Sequence, residues 1–137
     1  MLKVEGYTQT ETPKVVEFIR KVQFDAQPDR EILSRSVLIK DDEDIVGMVS
    51  YESHDDMGII RYFLYDACIA GTDIIVGMLF ELYKKARECG MKQLITRIPS
   101  KEVGMLFEML GFTTVTDNSL NLADAVYKDV EVMFINL

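Results

Sequence analysis

Tryptophan is absent, proline occurs three times, cysteine twice and histidine once. No Pro-, Gly- or Ser-rich stretch divides the chain, so no linker between domains is expected. Cys68 and Cys89 lack any Cys-x-x-Cys or Cys/His spacing, and His54 alone cannot complete a zinc site, which excludes a thiol-rich metal centre. Both thiols are expected to be reduced and buried. No apolar run approaches the ~18 residues needed to cross a bilayer. The start, Met-Leu-Lys-Val-Glu-Gly-Tyr, lacks the apolar core and cleavage site of a signal peptide. A cytoplasmic protein is expected. Basic residues are also scarce: 15 Lys and Arg face 23 Asp and Glu, a formal charge of −8 that disfavours nucleic acid and anionic membrane as partners.

What is present is enough apolar material for one core. Of 137 residues, 48% are hydrophobic, which suits a single domain over 1–137 that buries roughly two thirds of its unfolded surface. Val4–Thr8 reads as a short strand. Thr12 is placed to cap a helix with Pro13 at its first position, and Val15, Phe18, Ile19 and Val22 share one face of it. Pro28–Leu33 reads as a helical turn. Ser36–Lys40 and Ile45–Glu52 form strands around the acidic turn Asp41–Asp44, and His54–Gly58 turns the chain into a third strand, Ile59–Tyr65.

After Gly71 the period changes from two to 3.6. Ile75, Met78, Leu79, Leu82, Tyr83 and Ala86 make a helical stripe, closed by Gly90 in a left-handed turn. Lys92–Ile98 is a strand; Ser100 caps a helix through Val103, Leu106, Phe107 and Leu110, closed by Gly111. Thr113–Thr116 and Val126–Ile135 are further strands. The order β-α-(α)-β-β-β-α-β-α-β-β predicts a mixed α/β fold, a curved mixed sheet with helices on both faces.

Chemistry-bearing residues are few. Charge is uneven: Lys40–Asp66 carries eight acids and two bases, whereas Lys84–Lys101 carries six bases and only Glu88. Lys84, Lys85, Arg87 and Lys92 are either the wet face of a helix or contacts for phosphate. His54 lies in Ser-His-Asp-Asp, whose neighbours in one turn cannot converge on a reacting atom, so it reads as a turn residue. Asp66, Glu52, Asp55 and Asp56 are carboxylates able to act as a general base. Met105 and Met109 make the second helix more apolar than one buried face needs; core packing is expected, with a partner surface or homodimer contact as the alternative.

Tyr65-Asp-Ala-Cys-Ile-Ala-Gly-Thr-Asp-Ile-Ile75, the helix to Gly90, the strand 92–98 and Leu106-Phe-Glu-Met-Leu-Gly-Phe112 together resemble the GCN5-related N-acetyltransferase (GNAT) superfamily across essentially the whole chain. The resemblance implies an acyl-CoA N-acyltransferase-like fold with acetyl-CoA or another acyl-CoA as co-substrate, no metal, and a small-molecule or peptide amine as acceptor. It assigns cofactor contacts to Tyr65, Ala67, Ala70, Gly71, Thr72, Asp73, Ile74, Ile75 and Ser100, with backbone groups near Tyr65–Ala67 polarising the acyl carbonyl. Asp66 lies beside that acyl site, which makes it the preferred base for the proton of the attacking amine. Backbone amides at the start of the helix would hold the diphosphate. Four positions depart from the family pattern. Ala70 stands for its Arg or Gln, Asp73 and Ile75 stand for its glycines, and Phe107 stands for the Tyr that protonates the departing thiolate. Thr72 or Asp73 is a competing cap for those amides. A catalytically inactive binding or assembly protein of the same fold is the alternative reading.

Overall fold

The computed structural model describes residues 1–23, 28–115 and 131–137. Its elements run β1 (Leu2–Gly6), a 3₁₀ turn (Gln9–Glu11), α1 (Thr12–Gln23), α2 (Arg30–Leu33), β2 (Val37–Asp41), β3 (Asp44–His54), β4 (Met57–Tyr65), α3 (Thr72–Glu88), β5 (Gln93–Arg97), α4 (Lys101–Leu110), β6 (Thr113–Thr114) and β7 (Val132–Asn136). This is the expected order. The first strand begins two residues earlier than its pattern suggests. Residues 116 and 126–130 of the two last expected strands lie outside the described residues.

Thr12 does not cap α1. The chain enters through the 3₁₀ turn, where Glu11 Oε1 accepts from the Thr8 amide (3.3 Å) and hydroxyl (2.9 Å), and the Thr12 hydroxyl donates back to the Gln9 carbonyl (2.8 Å). Thr8 and Glu11 thus do the work of a capping box one turn ahead of the helix. The other carboxylate oxygen of Glu11 meets the Lys40 ammonium, which also reaches Glu5 at 3.3 Å, tying this turn to β1 and β2.

All seven strands form one sheet in the order β1-β2-β3-β4-β5-β7-β6. Alternation along each strand sends side chains to two cores. On one face Val37, Ile39, Val49, Tyr51, Ile60 and Leu94 meet α3 and α4. On the other Leu38 and Met48 meet Val15, Phe18 and Ile19 of α1 and Leu33 of α2. The Ser50 hydroxyl donates to the Ile32 carbonyl and anchors α2 to β3. Both helix terminations after α3 and α4 use glycine at positive φ, Gly90 at 88° and Gly111 at 106°, the left-handed turn that costs a side-chain-bearing residue strain.

Three expectations fail. Cys68 and Cys89 are exposed rather than buried, because one lies in the turn before α3 and the other at its C-terminal cap, off the buried stripe. Met105 and Met109 are 57% and 63% exposed, since α4 turns Leu106 and Phe107 inward and these two outward. Val22, placed on the face shared by Val15, Phe18 and Ile19, is 42% exposed near the end of α1.

Candidate functional site

The sheet opens where β4 meets β5. These parallel strands pair only at Met57↔Gln93, Gly58↔Leu94 and Ile59↔Ile95, although β4 continues to Tyr65. Gly58 makes the close part possible: a Cβ there would stand 2.8 Å from Leu94 and 3.0 Å from Tyr51. Beyond Ile59 the strand bends away. Met48 pairs with Leu64 and Ser50 with Arg61, so Tyr62 and Phe63 together oppose Val49, and Tyr62 sits at φ 54°. Such a bulge kinks the strand and raises its twist. Among the described residues, the β5-facing edge of β4 over 60–65 has no strand partner, which leaves a row of peptide groups for a ligand to pair with.

Tyr65 ends β4, half-buried, its ring 5.4 Å from that of Phe63. Asp66 then builds the turn. Its amide donates to the Val46 carbonyl (2.8 Å), its carbonyl accepts from Ile69 (3.0 Å) and Ala70 (2.8 Å), and its Oδ1 accepts from the Cys68 amide (2.9 Å). This pins the chain for entry into α3. Asp66 and Ala67 are exposed, while Ala70 is buried.

At the start of α3 the amides point to no internal acceptor. Among the described residues nothing accepts from Gly71, Thr72, Asp73 or Ile74 N–H; the first helical bond is Ile75 N–H to the Gly71 carbonyl, 3.2 Å. The competing cap by Thr72 or Asp73 is therefore not made, and both side chains are exposed. A Cβ on Gly71 would meet nothing within 4 Å, so the approach is open. Uncapped first-turn amides and the helix dipole suit a diphosphate. Ile74 is half-buried and Ile75 is in the core, 4% exposed, turned away from that approach.

The structure thus brings Tyr65, Asp66, Ala67 and 70–75 onto one arm of the opening. Ser100 belongs to the other arm, after β5, where its hydroxyl caps α4 by accepting from Val103 N–H at 3.3 Å. Phe107 is fully buried, edge-on to Phe63 (5.3 Å) and Phe112 (5.0 Å). This aromatic cluster holds no exchangeable proton. The other candidate carboxylates serve elsewhere: Glu52 binds Arg61 at 2.9 Å and His54 at 3.3 Å, and Asp56 faces Lys92 at 3.9 Å. His54 is the last residue of β3, opposite Met57.

One feature escaped sequence reading. Asp66 and Ile69 border a groove of about 590 Å³ against α1 (Phe18, Lys21, Val22) and the start of β3 (Ile45). Its walls come from three distant segments, so no local motif marks it. The one available signal was Val22, which lengthens the apolar stripe of α1 beyond what the sheet covers. Among the described residues no group of His, Cys, Asp or Glu could hold a metal, and no helix is long and apolar enough to cross a membrane.

No known family model matches the sequence, and no curated protein matches it significantly. Solved structures match throughout. An acetyltransferase of the GNAT family from Staphylococcus aureus superposes with a TM-score of 0.71 at 16% identity, covering 100% of this chain and 99% of that one. The ribosomal-protein-S18-alanine N-acetyltransferase of Escherichia coli gives 0.70 at 13% identity, with 99% and 94% covered. N-acetylglutamate synthase from Neisseria gonorrhoeae, solved with coenzyme A and N-acetyl-glutamate, gives 0.72 at 15% identity. All of this chain matches there, but it spans only 35% of that enzyme. The chain has the GNAT fold.

Proposed function

We propose that this protein is an N-acyltransferase that takes its acyl group from acetyl-CoA or another acyl-CoA and gives it to a small-molecule or peptide amine. The observation that carries this reading is the unpaired edge of β4 leading directly into the uncapped start of α3. One stretch of chain thus offers peptide groups for an extended amide-bearing arm and, next to them, free N–H groups for its diphosphate. The co-substrate supplies a thioester carbonyl open to attack by nitrogen. Backbone N–H groups of β4 that face the opening polarise it; the Asp66 amide is not one of them, being held by Val46. Asp66 takes the proton of the attacking amine, directly or through water, and the adjoining groove admits the acceptor. Phe107 has no proton to give, so the leaving thiolate takes its proton from water or from the ammonium formed. A cytoplasmic location belongs to the same proposal.

A second reading, a binding module without turnover, is favoured by one observation: the aromatic packing of Phe63, Phe107 and Phe112 where an acid would stand. Two measurements separate the readings. Acetyl-CoA at 100 times its dissociation constant should raise native stability by about 2.7 kcal/mol, and thiol release in the presence of an amine panel should exceed the rate without protein. Stabilisation without thiol release leaves the binding module. No change in Tm at millimolar acetyl-CoA overturns both.

A further inference from the structure

On the far side of α3 from the diphosphate loop, a thiol and an amine share one turn of helix. Lys85 and Cys89 are four residues apart, the spacing that makes side chains neighbours on a helix surface. Lys85 is half-buried and lines a cavity of about 340 Å³ between α3 and the β1–β2 edge, with Glu5, Val37, Glu81 and Glu88. Unlike Lys84, which pairs with Glu81 at 3.7 Å, it forms no ion pair among the described residues. Its ammonium rests instead on the Ser36 carbonyl, 3.3 Å away. Cys89 is exposed and free. Beside it lies Tyr51, 1% exposed, whose ring carries the Arg35 guanidinium 5.6 Å from its centroid. Neighbouring residues 35 and 36 thus contact Tyr51 and Lys85, respectively.

We propose that Cys89 and Lys85 form an acyl relay, separate from the candidate site, through which small thioesters acylate Lys85. The Cys89 thiolate attacks the thioester carbonyl, its S–C bond forms as the donor's C–S bond breaks, and the donor leaves as a thiol after taking up a proton. The neutral Lys85 amine then attacks the S-acyl carbonyl. The new N–C bond replaces the S–C bond, and the proton lost by nitrogen returns to the Cys89 sulfur. The product is an Nζ-acyl amide and the thiol is regenerated, with no oxidant or metal needed. Two features suit the chemistry. Burial pushes the Lys85 ammonium below its ordinary value, which increases the neutral fraction. The Tyr51 hydroxyl stays protonated, because burial first and Cys89 second raise it to about 12, so it adds no negative charge beside the thiol. Exposed Cys68 has no lysine at this spacing.

The test uses the acetyl thioester of N-acetylcysteamine, which has no nucleotide or diphosphate, so its outcome is independent of coenzyme A recognition. The full chain, Cys89→Ala and Lys85→Arg are incubated with it, quenched in acid and mapped by peptide mass spectrometry. Thermal unfolding confirms that each variant is folded. Proximity predicts that acetylation at Lys85 exceeds that at Lys84 by at least about tenfold and falls by a similar factor in Cys89→Ala. Lys85→Arg should accumulate hydroxylamine-labile acetyl on Cys89. Equal labelling of Lys85 with and without the thiol, labelling no higher than at Lys84, or no S-acetyl species in Lys85→Arg would each overturn the relay.

Discussion

Asp73 gives the sharpest test of the proposed diphosphate site, because it pulls stability and affinity in opposite directions. Its carboxylate stands in the first turn of α3 and is exposed. Without ligand it favours the helix through the dipole, by about 0.3–1 kcal/mol. With a diphosphate on the adjacent amides it meets like charge. Two unit charges ~4 Å apart repel by on the order of 4 kcal/mol at an effective dielectric of 20, and by ~1 kcal/mol in bulk water. Exposure puts Asp73 near the lower figure, so Asp73→Asn should tighten coenzyme A by about 5- to 30-fold, corresponding to ~1–2 kcal/mol. The same variant should lower the ligand-free Tm by a few degrees at most. Salt should erode the affinity gain, since the screening length falls from about 10 Å at 0.1 M to about 3 Å at 1 M. Titration calorimetry at two salt concentrations, with thermal unfolding of the free protein, reads all three. Affinity unchanged at low salt, with the loss in Tm present, would refute the placement of phosphate at these amides.

The remaining expectations concern the frame around the site. Phe107→Ala should cost about 3–5 kcal/mol in urea unfolding, and Phe107→Tyr about 1–3 kcal/mol through a buried hydroxyl without a partner; a neutral Phe107→Tyr would show that the ring edge reaches water. Gly58→Ala should cost about 1–3 kcal/mol by forcing Leu94 and Tyr51 aside, and an unaffected Tm would contradict the tight pairing of β4 and β5. Lys40→Ala leaves a buried oxygen of Glu11 unpaired, at about 1–3 kcal/mol. Burial alone would raise the Glu11 carboxyl, but Lys40 and Thr8 outweigh it and hold it below its ordinary 4.5. Its contribution is therefore complete above pH 4.5 and fades as pH drops through the lowered native value. Lys40, raised above 10.5 chiefly by Glu11, loses its share only as pH climbs through the raised value. Unfolding of the parent chain and Glu11→Gln should accordingly converge in acid; parallel curves would remove the pair from the account.

Local chemistry was the legible part. The α3 stripe from Ile75 to Ala86, the Ser100 cap and the glycines after both long helices were readable because capping and 3.6-residue periodicity act within a few residues. The strand order was not, since β7 sits between β5 and β6 through pairings such as Leu94↔Ile135 that no short window contains. The opening beside β4 has the same character: it depends on a bulge at Tyr62 and Phe63 and on pairing that stops after Ile59. Only the family resemblance pointed to it. The cysteines and methionines went astray because hydrophobic type was read as burial, whereas position on the helix decides it. Candidate residues 65–75 were accessible as one contiguous segment, while the groove against α1 required three segments to meet.

The place of β7 also bears on when this architecture can assemble. β5 is joined to β4 by three residue pairs but to β7 by five. The arm carrying Ser100 thus depends on residues 132–136, which are made after every other described strand. Until they emerge, a nascent chain holds the meander and the turn into α3 while the opposing arm hangs by a short ladder, so the two sides of the opening mature at different moments of synthesis.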